Sequence, residues 1–475
     1  MNKQQQLPQT QKLLPTTQKL LTLTTILEKT FTPKGSNILI SNQQTEEGLI
    51  LTKQPLEIIQ NLKIIHPIQI LLKEYLEIMK NEGDCSIFMV VLFSRLLKNS
   101  VKILKKGIKI NDLKIFLREL KDEIRSIIDK EKLTKDNIAD VLSGVISENR
   151  VVELLMECLV QIQGNGIKDI KNNLERIKMV EDGGDIRLVK INTGEINDSY
   201  MINGLVLEFE PIGIIKSLKP KNETLKTAIF NSPLELNSLE TKSTILLTSP
   251  QQLLDFDQKE ESSINSFFDE IDTDVIVCTQ ANRKFIEFAD KRNIMIIKTK
   301  SKYELKRLQK LFGGSILNTV KTPEENEKGK VDEIESKKIG GRTFTEIIKN
   351  DSKVCTIVLR ESLRQNLEET SRKIENCLKI LEKIDLSNKL KTQILMLEGA
   401  GKIERKIANS LNLDYKNSKK DVSNFVKESF IEVAGLTDNN DGVFDCYHAK
   451  RRAIECAFEL LDDVLMCDDF LMKGD

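Results

Sequence analysis

The sequence predicts a multi-domain α+β protein in which helical segments near both ends of the chain enclose an α/β region. With 475 residues, the chain is longer than a single hydrophobic core usually supports. Helical patterning extends to about Gln163 and resumes from Glu361. Between 185 and 297, short continuous apolar runs alternate with turn residues, which is typical of buried strands in an α/β fold. The simplest arrangement is a chain that begins in a helical domain, builds a second domain and returns.

The first third of the chain predicts helices that are interrupted by two short strands. Apolar residues at helical spacing indicate a helix that ends near Thr30, after a polar start. Strands are expected at 38–40 and 49–52, and another helix begins at about His66. Because His66 precedes a proline, we interpret it as a packed boundary residue rather than a catalytic base.

The middle of the chain predicts a series of buried strands with a helix at 282–292. The highly charged stretch 322–338 is expected to be a surface loop or hairpin, and the chain is expected to be nearly all helix from Glu361 to Phe470. The predicted strands are 186–189, 227–230, 244–247, 275–277, 294–297 and 354–359.

Composition excludes several functional classes. Lys+Arg and Asp+Glu balance at 72 each, so no overall charge attracts nucleic acid or a membrane surface. Trp is absent and aromatic residues make up 5%, which disfavours base-stacking platforms. Eight scattered cysteines without a C-x-x-C pair indicate reduced thiols, and two histidines make a zinc site unexpected. A polar N-terminus and the lack of a membrane-length apolar run predict a cytosolic protein.

The segment Gly83-Asp84-Cys85-Ser86 precedes the apolar run 87–93 and is the strongest candidate for a phosphate site. Backbone N–H groups and the dipole at a helix N-terminus attract phosphate. An adjacent Asp can hold a Mg²⁺ ion that keeps several waters. The same pattern also suits an ordinary helix cap, so these residues alone leave both interpretations open.

Four motifs, met in order along nearly the whole chain, together resemble one known family. The first two are Thr32-Pro33-Lys34-Gly35, similar to G-P-K-G, and Gly83-Asp84-Cys85-Ser86-Ile87, similar to G-D-G-T-T. The third, 356–360, matches T-I-V-L-R, and the fourth is the glycine turn Gly399-Ala400-Gly401 with Glu404. This set resembles the group II chaperonins. Segments at 240–256, 293–308 and 464–472 are similar to the theta-type subunits of the eukaryotic cytosolic chaperonin.

The resemblance implies a chaperonin fold with three domains. A helical, discontinuous equatorial domain (1–125 and 401–475) would bind ATP and make most ring contacts. A small intermediate domain (126–195 and 353–400) would act as a hinge, and an α/β apical domain (196–352) would bind clients and carry a lid protrusion. The implied protein is a subunit of a hetero-oligomeric double-ring chaperonin in the cytosol, with other chaperonin subunits and unfolded client proteins as partners. Neither nucleic acid nor a membrane is expected as a partner.

The resemblance also assigns the residues of a nucleotide site that uses ATP and Mg²⁺. The implied catalytic set is Asp84, Gln54 and Asn376. Asp84 corresponds to the metal-binding Asp, Gln54 replaces the Asp of T-N-D-G, and Asn376 replaces the catalytic Asp on the helix after T-I-V-L-R. The residues implied to bind nucleotide are Thr32, Pro33, Lys34, Gly35, Gly83, Cys85, Ser86, Ile87, Gly399, Ala400, Gly401, Asp445 and Lys450.

Three departures from the family pattern predict a weak or lost ATPase. An amide such as Asn376 can hold a water by hydrogen bonds but cannot accept its proton. Thr32 and Cys85 replace glycines, and a Cβ there restricts φ and the approach of backbone N–H groups to phosphate. The chain is also several tens of residues shorter than the family between Leu436 and Val443. The alternatives are an ATP-driven folding subunit, a nucleotide-inert ring subunit, and a helical scaffold outside the family.

The helix predicted at 282–292 corresponds to the helix with which family members hold clients. Apolar residues on it, such as Phe285 and Ala289, are expected to pack against their own domain. A charged helix face is often only solvated, so the resemblance is what identifies it as a client surface. The candidate client-binding residues are Asn282, Arg283, Lys284, Glu287, Lys291 and Arg292.

Overall fold

The structure is a computed structural model of the chain. It describes residues 9–31, 35–41, 49–62, 68–135, 142, 144–146, 148–163, 185–220, 224–235, 250–382, 394–411, 418–437 and 443–467. The chain divides into two compact units. Unit 1 comprises Met1–Val152 and Glu368–Asp475, and unit 2 comprises Glu153–Leu367. Unit 1 is therefore built from both ends of the chain.

Helices occupy much of the described chain at both ends and recur between strands in its middle. In chain order they are α1 (Gln9–Glu28), α2 (Pro55–Asn61), α3 (Ile68–Glu82), α4 (Ser86–Lys105), α5 (Ile110–Lys130), α6 (Asn149–Gln163), α7 (Pro250–Ile271), α8 (Arg283–Lys291), α9 (Lys302–Phe312), α10 (Arg364–Glu382), α11 (Lys402–Ser410), α12 (Ser418–Ala434) and α13 (Tyr447–Met466).

The strands are short and most of them lie in unit 2. In chain order they are β1 (Ile38–Ser41), β2 (Leu49–Thr52), β3 (Leu133–Lys135), β4 (Ile186–Ile191), β5 (Tyr200–Leu207), β6 (Ser217–Leu218), β7 (Leu225–Phe230), β8 (Pro233–Leu234), β9 (Val275–Cys278), β10 (Gln280–Ala281), β11 (Met295–Lys298), β12 (Ile316–Leu317), β13 (Gly329–Val331), β14 (Glu333–Ile339), β15 (Arg342–Ile348), β16 (Cys355–Arg360), β17 (Ile394–Glu398) and β18 (Phe444–Cys446). This mixture of helices and sheets agrees with the predicted α+β class.

Helix α4 is the central element of unit 1. Every residue from Phe88 to Ser94 is buried, because α1, α12 and α13 all pack against this helix. A helix that is apolar on nearly all sides is stable only in such an interior position. The apolar run after Gly83 therefore anchors the turn that carries Asp84 in the core of the unit.

Two small sheets complete the described part of unit 1. β1 and β2 form an antiparallel pair, and β17 pairs with β3 on one side and β18 on the other. The prediction that the chain is nearly all helix after Glu361 is therefore wrong at 394–398 and 444–446. The strand β18 has only three residues and forms by pairing with distant β17, which a local pattern cannot reveal.

Unit 2 is organised around two larger sheets. One has the order β4-β16-β5-β15-β14-β6, and the other has the order β11-β9-β7-β12 with β13 also paired to β7. Strands predicted at 186–189, 227–230, 275–277, 294–297 and 354–359 are confirmed by the sheet pairings. The strand predicted at 244–247 lies outside the described residues.

The charged stretch 322–338 contributes to the core as well as to the surface. It contains β13 and β14, and β14 forms a hairpin with β15, so the predicted hairpin is confirmed. The expectation that the stretch lies on the surface is wrong in part, because Val331 and Ile334 are fully buried in the core of unit 2. Their alternation with charged neighbours places one face of each strand inside.

Two further observations concern the described residues only. None of their helices combines the length and apolar character that a membrane-spanning segment requires. All cysteines are free thiols, and each is buried except the partly exposed Cys467.

Candidate functional site

The candidate phosphate turn is a tight loop that ends at the first residue of α4. Gly83 has φ +81°, and Cys85 is the N-cap residue with φ 61° and ψ 15°. The Asp84 Oδ1 atom accepts a hydrogen bond from the Cys85 N–H at 2.6 Å. Ser86 and Ile87 form the start of the helix and are half-buried. The turn therefore places the Asp84 carboxylate beside the positive end of the α4 dipole.

Cys85 takes up a left-handed conformation, which glycine adopts easily. A left-handed residue with a Cβ costs about 1–2 kcal/mol, because Cβ approaches the following carbonyl oxygen. The sequence leads us to expect that a Cβ at this position restricts φ. The structure corrects this expectation, because Cys85 still adopts the positive φ that glycine favours. Its side chain is buried, and its Sγ lies 3.6 Å from Asp84 Oδ2. Cysteine at this position thus adds strain and a buried thiol to the turn.

Helix α10 lies directly against this turn. An added Cβ at Gly83 would lie 2.5 Å from the backbone oxygen of Asn376 and 3.2 Å from Cβ of Lys379. Two residues that are almost 300 positions apart in sequence are therefore in close backbone contact. Asn376 thus stands beside the Asp84 turn, where the resemblance places a catalytic Asp.

The turn that carries Gln54 is held to the same helix. The Thr52 hydroxyl donates to Oε2 of Glu369 at 3.1 Å, and the Gln54 N–H donates to the Thr52 hydroxyl at 3.0 Å. Glu369 precedes Asn376 by seven residues, which is two helical turns or about 10 Å along α10. Gln54 is the N-cap residue of α2, but its side chain makes no capping hydrogen bond.

The sequence analysis did not identify Glu369 as a residue of the site, although its spacing from Asn376 could have indicated it. A spacing of seven residues places Glu369 and Asn376 on the same face of a helix. Its partner Thr52 is buried completely, so the hydrogen bond between them fixes the end of β2 to α10. Glu369 is therefore a residue that positions the Gln54 turn.

The Asp84 carboxyl is in an environment that opposes its ionisation. Burial, together with the nearby Asp445 carboxylate, raises the pKa of Asp84, although its hydrogen bond from Cys85 and the Lys450 ammonium partly offset this. Burial also raises the pKa of the Cys85 thiol well above its ordinary value, and the Asp84 carboxylate adds to that increase. The hydrogen bonds from Cys85 and the charge of Lys450 therefore favour the ionised form of Asp84, against burial and Asp445.

Lys450 provides a buried positive charge that acts on Asp84. Its Nζ lies 2.5 Å from Oε1 of Glu404 and 2.9 Å from Oδ2 of Asp445. Burial lowers the pKa of Lys450, but the Asp445 and Glu404 carboxylates outweigh it, so the pKa lies above its ordinary value. Asp445 and Lys450, which the sequence predicts as a pair, are therefore in contact in unit 1.

The glycine turn 399–401 joins β17 to α11 beside Asp445. Ala400 and Gly401 have φ values of 54° and 80°, and Gly401 is the N-cap residue of α11. The Gly399 N–H donates to the Val443 oxygen at 2.9 Å. An added Cβ at Gly399 would lie 3.1 Å from Oδ1 of Asp445. The turn therefore brings the N-terminus of α11 next to the Asp445–Lys450 pair.

The first predicted phosphate turn is only partly described. Thr32, Pro33 and Lys34 lie outside the described residues. Gly35 is packed closely, because an added Cβ would lie 2.5 Å from the oxygen of Thr30. This glycine is thus required by backbone contact within its own turn.

The residues present fit a Mg²⁺ ion only as a partner of bound phosphate. No group of three or more His, Cys, Asp or Glu side chains suited to a metal occurs in the described part of the chain. Mg²⁺ commonly uses one or two carboxylates together with substrate phosphates and waters. Asp84, whose Oδ1 accepts from the Cys85 N–H and whose Oδ2 accepts from the Cys85 thiol, suits that arrangement and not a cage built of protein ligands.

The candidate client helix α8 divides into an exposed and a paired set. Asn282, Arg283, Glu287 and Lys291 are exposed, and the Arg283 side chain is 91% accessible. Lys284 and Arg292 are instead held by α7, through Nζ to Glu260 Oε2 at 2.5 Å and through Arg292 Nη2 to Asp269 Oδ1 at 2.7 Å.

The apolar side of α8 packs as the sequence predicts. Phe285 and Ala289 are buried, and Ile286 and Phe288 pack at the edge of the same core. The free charged face of α8 is therefore narrower than the predicted set, since two of its six members are engaged with α7.

Comparison with known proteins agrees with these motifs. The chain is 29% identical to T-complex protein 1 subunit theta of Encephalitozoon cuniculi, over 89% of this chain and 84% of the relative. It is 28% identical to a probable T-complex protein 1 subunit theta of Schizosaccharomyces pombe, over 78% of this chain and 68% of the relative. It is 22% identical to thermosome subunit alpha of Methanothermobacter thermautotrophicus, over 94% and 89% of the two chains. The predicted similarity to theta-type subunits is thus confirmed.

The match to a family covers most of the chain and includes all four motifs used in the prediction. Residues 23–433 match the TCP-1/cpn60 chaperonin family, and this chain belongs to that family.

Proposed function

We propose that this chain is a subunit of a hetero-oligomeric double-ring chaperonin in the cytosol. It binds unfolded proteins and helps to fold them in an ATP-dependent cycle, while its own ATPase is weak or lost. The proposal includes equatorial, intermediate and apical domains with the boundaries given above, and a lid on the apical domain. Its partners are the other ring subunits and unfolded clients.

One observation carries the proposal of a weak ATPase: the turn with Asp84 lies against α10 at Asn376. Asp84 supplies a carboxylate, but Asn376 supplies an amide where proton transfer from water requires a base. Loss of a general base typically lowers the rate by a factor of about 10²–10⁴. Gln54, whose turn is bound to α10 through Thr52 and Glu369, is a second amide in place of an acid.

The remaining residues suit nucleotide binding better than hydrolysis. When bound, Mg²⁺ would be held by Asp84 and would neutralise charge on the phosphates. The N-terminal N–H groups of α4 and α11 would orient phosphate oxygens. Lys450 would hold the Asp445 side chain in place through the 2.9 Å contact between Nζ and Oδ2.

The alternative is a structural ring subunit that contacts clients but binds no nucleotide. The strain at Cys85 and the raised pKa of Asp84, which burial and Asp445 cause, favour this alternative because both weaken the attraction for a Mg-phosphate complex. The two functions differ in whether nucleotide occupies unit 1.

A trapping experiment separates them. The assembled protein is incubated with ATP, Mg²⁺ and aluminium fluoride, and the site at Asp84 is then observed by electron cryomicroscopy. Nucleotide with Mg²⁺ at Asp84 supports the binding subunit, whereas a site without nucleotide, beside occupied sites in neighbouring subunits, supports the inert one. If co-purification shows that the protein forms no ring with other subunits, both functions are overturned.

A substitution tests the missing base. Asn376→Asp should raise the ATPase rate of the assembly above that of Asn111→Asp, which adds the same charge at an exposed position in the first turn of α5. Equal rates for the two variants would show that the amide at Asn376 does not limit hydrolysis.

A further inference from the structure

We propose that Lys450 is a built-in cation that keeps the turns around Asp84 and Gly399 assembled when no nucleotide is bound. The proposal rests on the proposed function only in taking these turns as the nucleotide site. Lys450 acts as a positioning residue, with Glu404, Asp445 and Phe88 as its three partners.

The ammonium group is enclosed by three elements. Besides the two carboxylates at 2.5 Å and 2.9 Å, the centre of the Phe88 ring lies 3.6 Å from Nζ. The side chains of Lys450 and Glu404 are only 6% and 3% exposed. The charge is therefore balanced by the protein with little help from water.

The three partners lie at the two turns of the candidate site. Glu404 lies in the first turn of α11, immediately after Gly401, and Asp445 lies beside Gly399. Phe88 lies in the first turn of α4, immediately after the Asp84 loop. Lys450, on α13, thus joins both turns through direct contacts with neighbouring residues.

Without this lysine the two carboxylates would lack their shared counter-charge. Removal of one member of a buried ion pair leaves the other desolvated and unpaired, which strongly destabilises the surrounding structure. In sites that depend on ligand for their order, bound cation and phosphate supply such interactions. Here a residue of the chain supplies the positive charge permanently.

Phe88 gives the buried Lys450 ammonium a favourable contact with an aromatic ring. An aromatic face attracts a cation through its quadrupole, and the attraction is greater where water is excluded. The ring is 3% exposed and adds no donor that would compete with Nζ for the carboxylates. An aliphatic side chain would fill the same space but would not attract the ammonium.

The chain offers a matched control for Lys450. Lys406, in the middle of α11, has its Nζ 2.7 Å from both Glu131 Oε2 and Glu398 Oε2. Its side chain is 46% exposed, so water can replace these contacts. Lys450→Met and Lys406→Met therefore remove the same charge from two ion pairs that differ mainly in burial.

Hydrogen exchange measured by mass spectrometry on the full-length, nucleotide-free protein tests the proposal. In Lys450→Met, amides at 83–88 and 399–404 should exchange on the order of 100-fold faster than in the unaltered protein, while Lys406→Met leaves them within about threefold. Adding Glu404→Gln and Asp445→Asn to Lys450→Met should restore most of the protection, because no buried charge then remains unpaired.

If Lys450→Met does not fold, Phe88→Leu provides the second test, with about fivefold faster exchange expected at the same amides. Equal exchange in the Lys450 and Lys406 variants, or unchanged exchange in Phe88→Leu, overturns the proposal. Because these measurements contain no nucleotide, failure of the trapping experiment does not affect them. The two proposals can thus fail independently.

Discussion

Gly83 and Asn376 are in backbone contact across two segments of unit 1. A Cβ added to Gly83 would lie 2.5 Å from the Asn376 carbonyl oxygen. This contact fixes the distance between the turn that carries Asp84 and the helix that carries Asn376. The glycine therefore serves two purposes, since it also provides φ +81°.

Gly83→Ala should destabilise the protein by roughly 2–5 kcal/mol, because the left-handed backbone and the clash with a backbone oxygen both oppose a Cβ. Gly107→Ala is the control, since Gly107 has φ +93° but an added Cβ would meet nothing within 4 Å. The control should cost only about 1–2 kcal/mol. Equal losses in chemical denaturation of the two variants would show that α10 yields to the clash.

Cys85→Gly should tighten nucleotide binding while changing stability by less than about 1 kcal/mol. Relief of left-handed strain is offset by the greater unfolded-state entropy of glycine and by the loss of a buried thiol. Cys85→Ala keeps the Cβ and should bind ADP with Mg²⁺ no better than the unaltered protein. Titration calorimetry of both variants checks this. If Cys85→Ala tightens nucleotide binding as much as Cys85→Gly does, the thiol rather than the Cβ weakens binding. If neither variant changes the affinity, the turn does not limit binding.

The sequence was most informative where a residue's role follows from its immediate neighbours. The start of α4 follows from a polar turn before the apolar run at 87–93, and the buried strands of unit 2 follow from continuous apolar runs. Motifs matched in order then identified the family, which residues 23–433 confirm. Asp445 and Lys450 were paired through such a motif, and they are 2.9 Å apart.

Contacts between distant segments could not be predicted in the same way. The Thr52–Glu369 hydrogen bond joins residues 317 positions apart, and β18 forms only because β17 lies beside it. The left-handed conformation of Cys85 is also set by tertiary structure, since cysteine has no local preference for it. These three features determine how the site is assembled, yet none has a local pattern that specifies it.

Native thiols should react in an order set by burial and pKa. Cys467 is partly exposed and should be alkylated first. Burial raises the pKa of Cys446 from 9.0 to about 11 and that of Cys278 to about 12, so little thiolate is present at either near neutral pH. Timed alkylation followed by peptide mass spectrometry measures the order. Early modification of Cys278 would contradict the buried position of β9.

The raised cysteine pKa values also predict how stability changes at high pH. The native state keeps the Cys446 proton up to about pH 11, whereas an unfolded thiol releases it near pH 9. The native state therefore binds more protons in this window, and the free energy of unfolding should fall as pH rises through it. Cys446→Ala should reduce that slope in urea denaturation between pH 9 and 10.5. Equal slopes in the variant and the unaltered protein would show that Cys446 does not titrate with a raised pKa.

The charged face of α8 should contribute selectivity for clients more than stability. Arg283 is 91% exposed and pairs only with Glu287 in the described structure, so Arg283→Ala should change the free energy of unfolding by less than about 0.5 kcal/mol. If this face contacts clients, the same change should weaken binding of an acidic unfolded polypeptide by about two- to fivefold at low salt, and less at high salt.

Fluorescence anisotropy with a labelled unfolded polypeptide measures this effect, and Lys302→Ala on α9 is the control. Lys302 is exposed and belongs to the same unit, so its removal changes net charge by the same amount. A general electrostatic attraction would weaken equally in both variants, whereas a client surface on α8 requires a larger loss for Arg283→Ala. Lys284→Ala should instead loosen α8 from α7, because Lys284 is bound to Glu260 and is directed away from the exposed face. Loss of client binding in Lys284→Ala without loss of stability would therefore contradict the division of this helix into an exposed and a paired set.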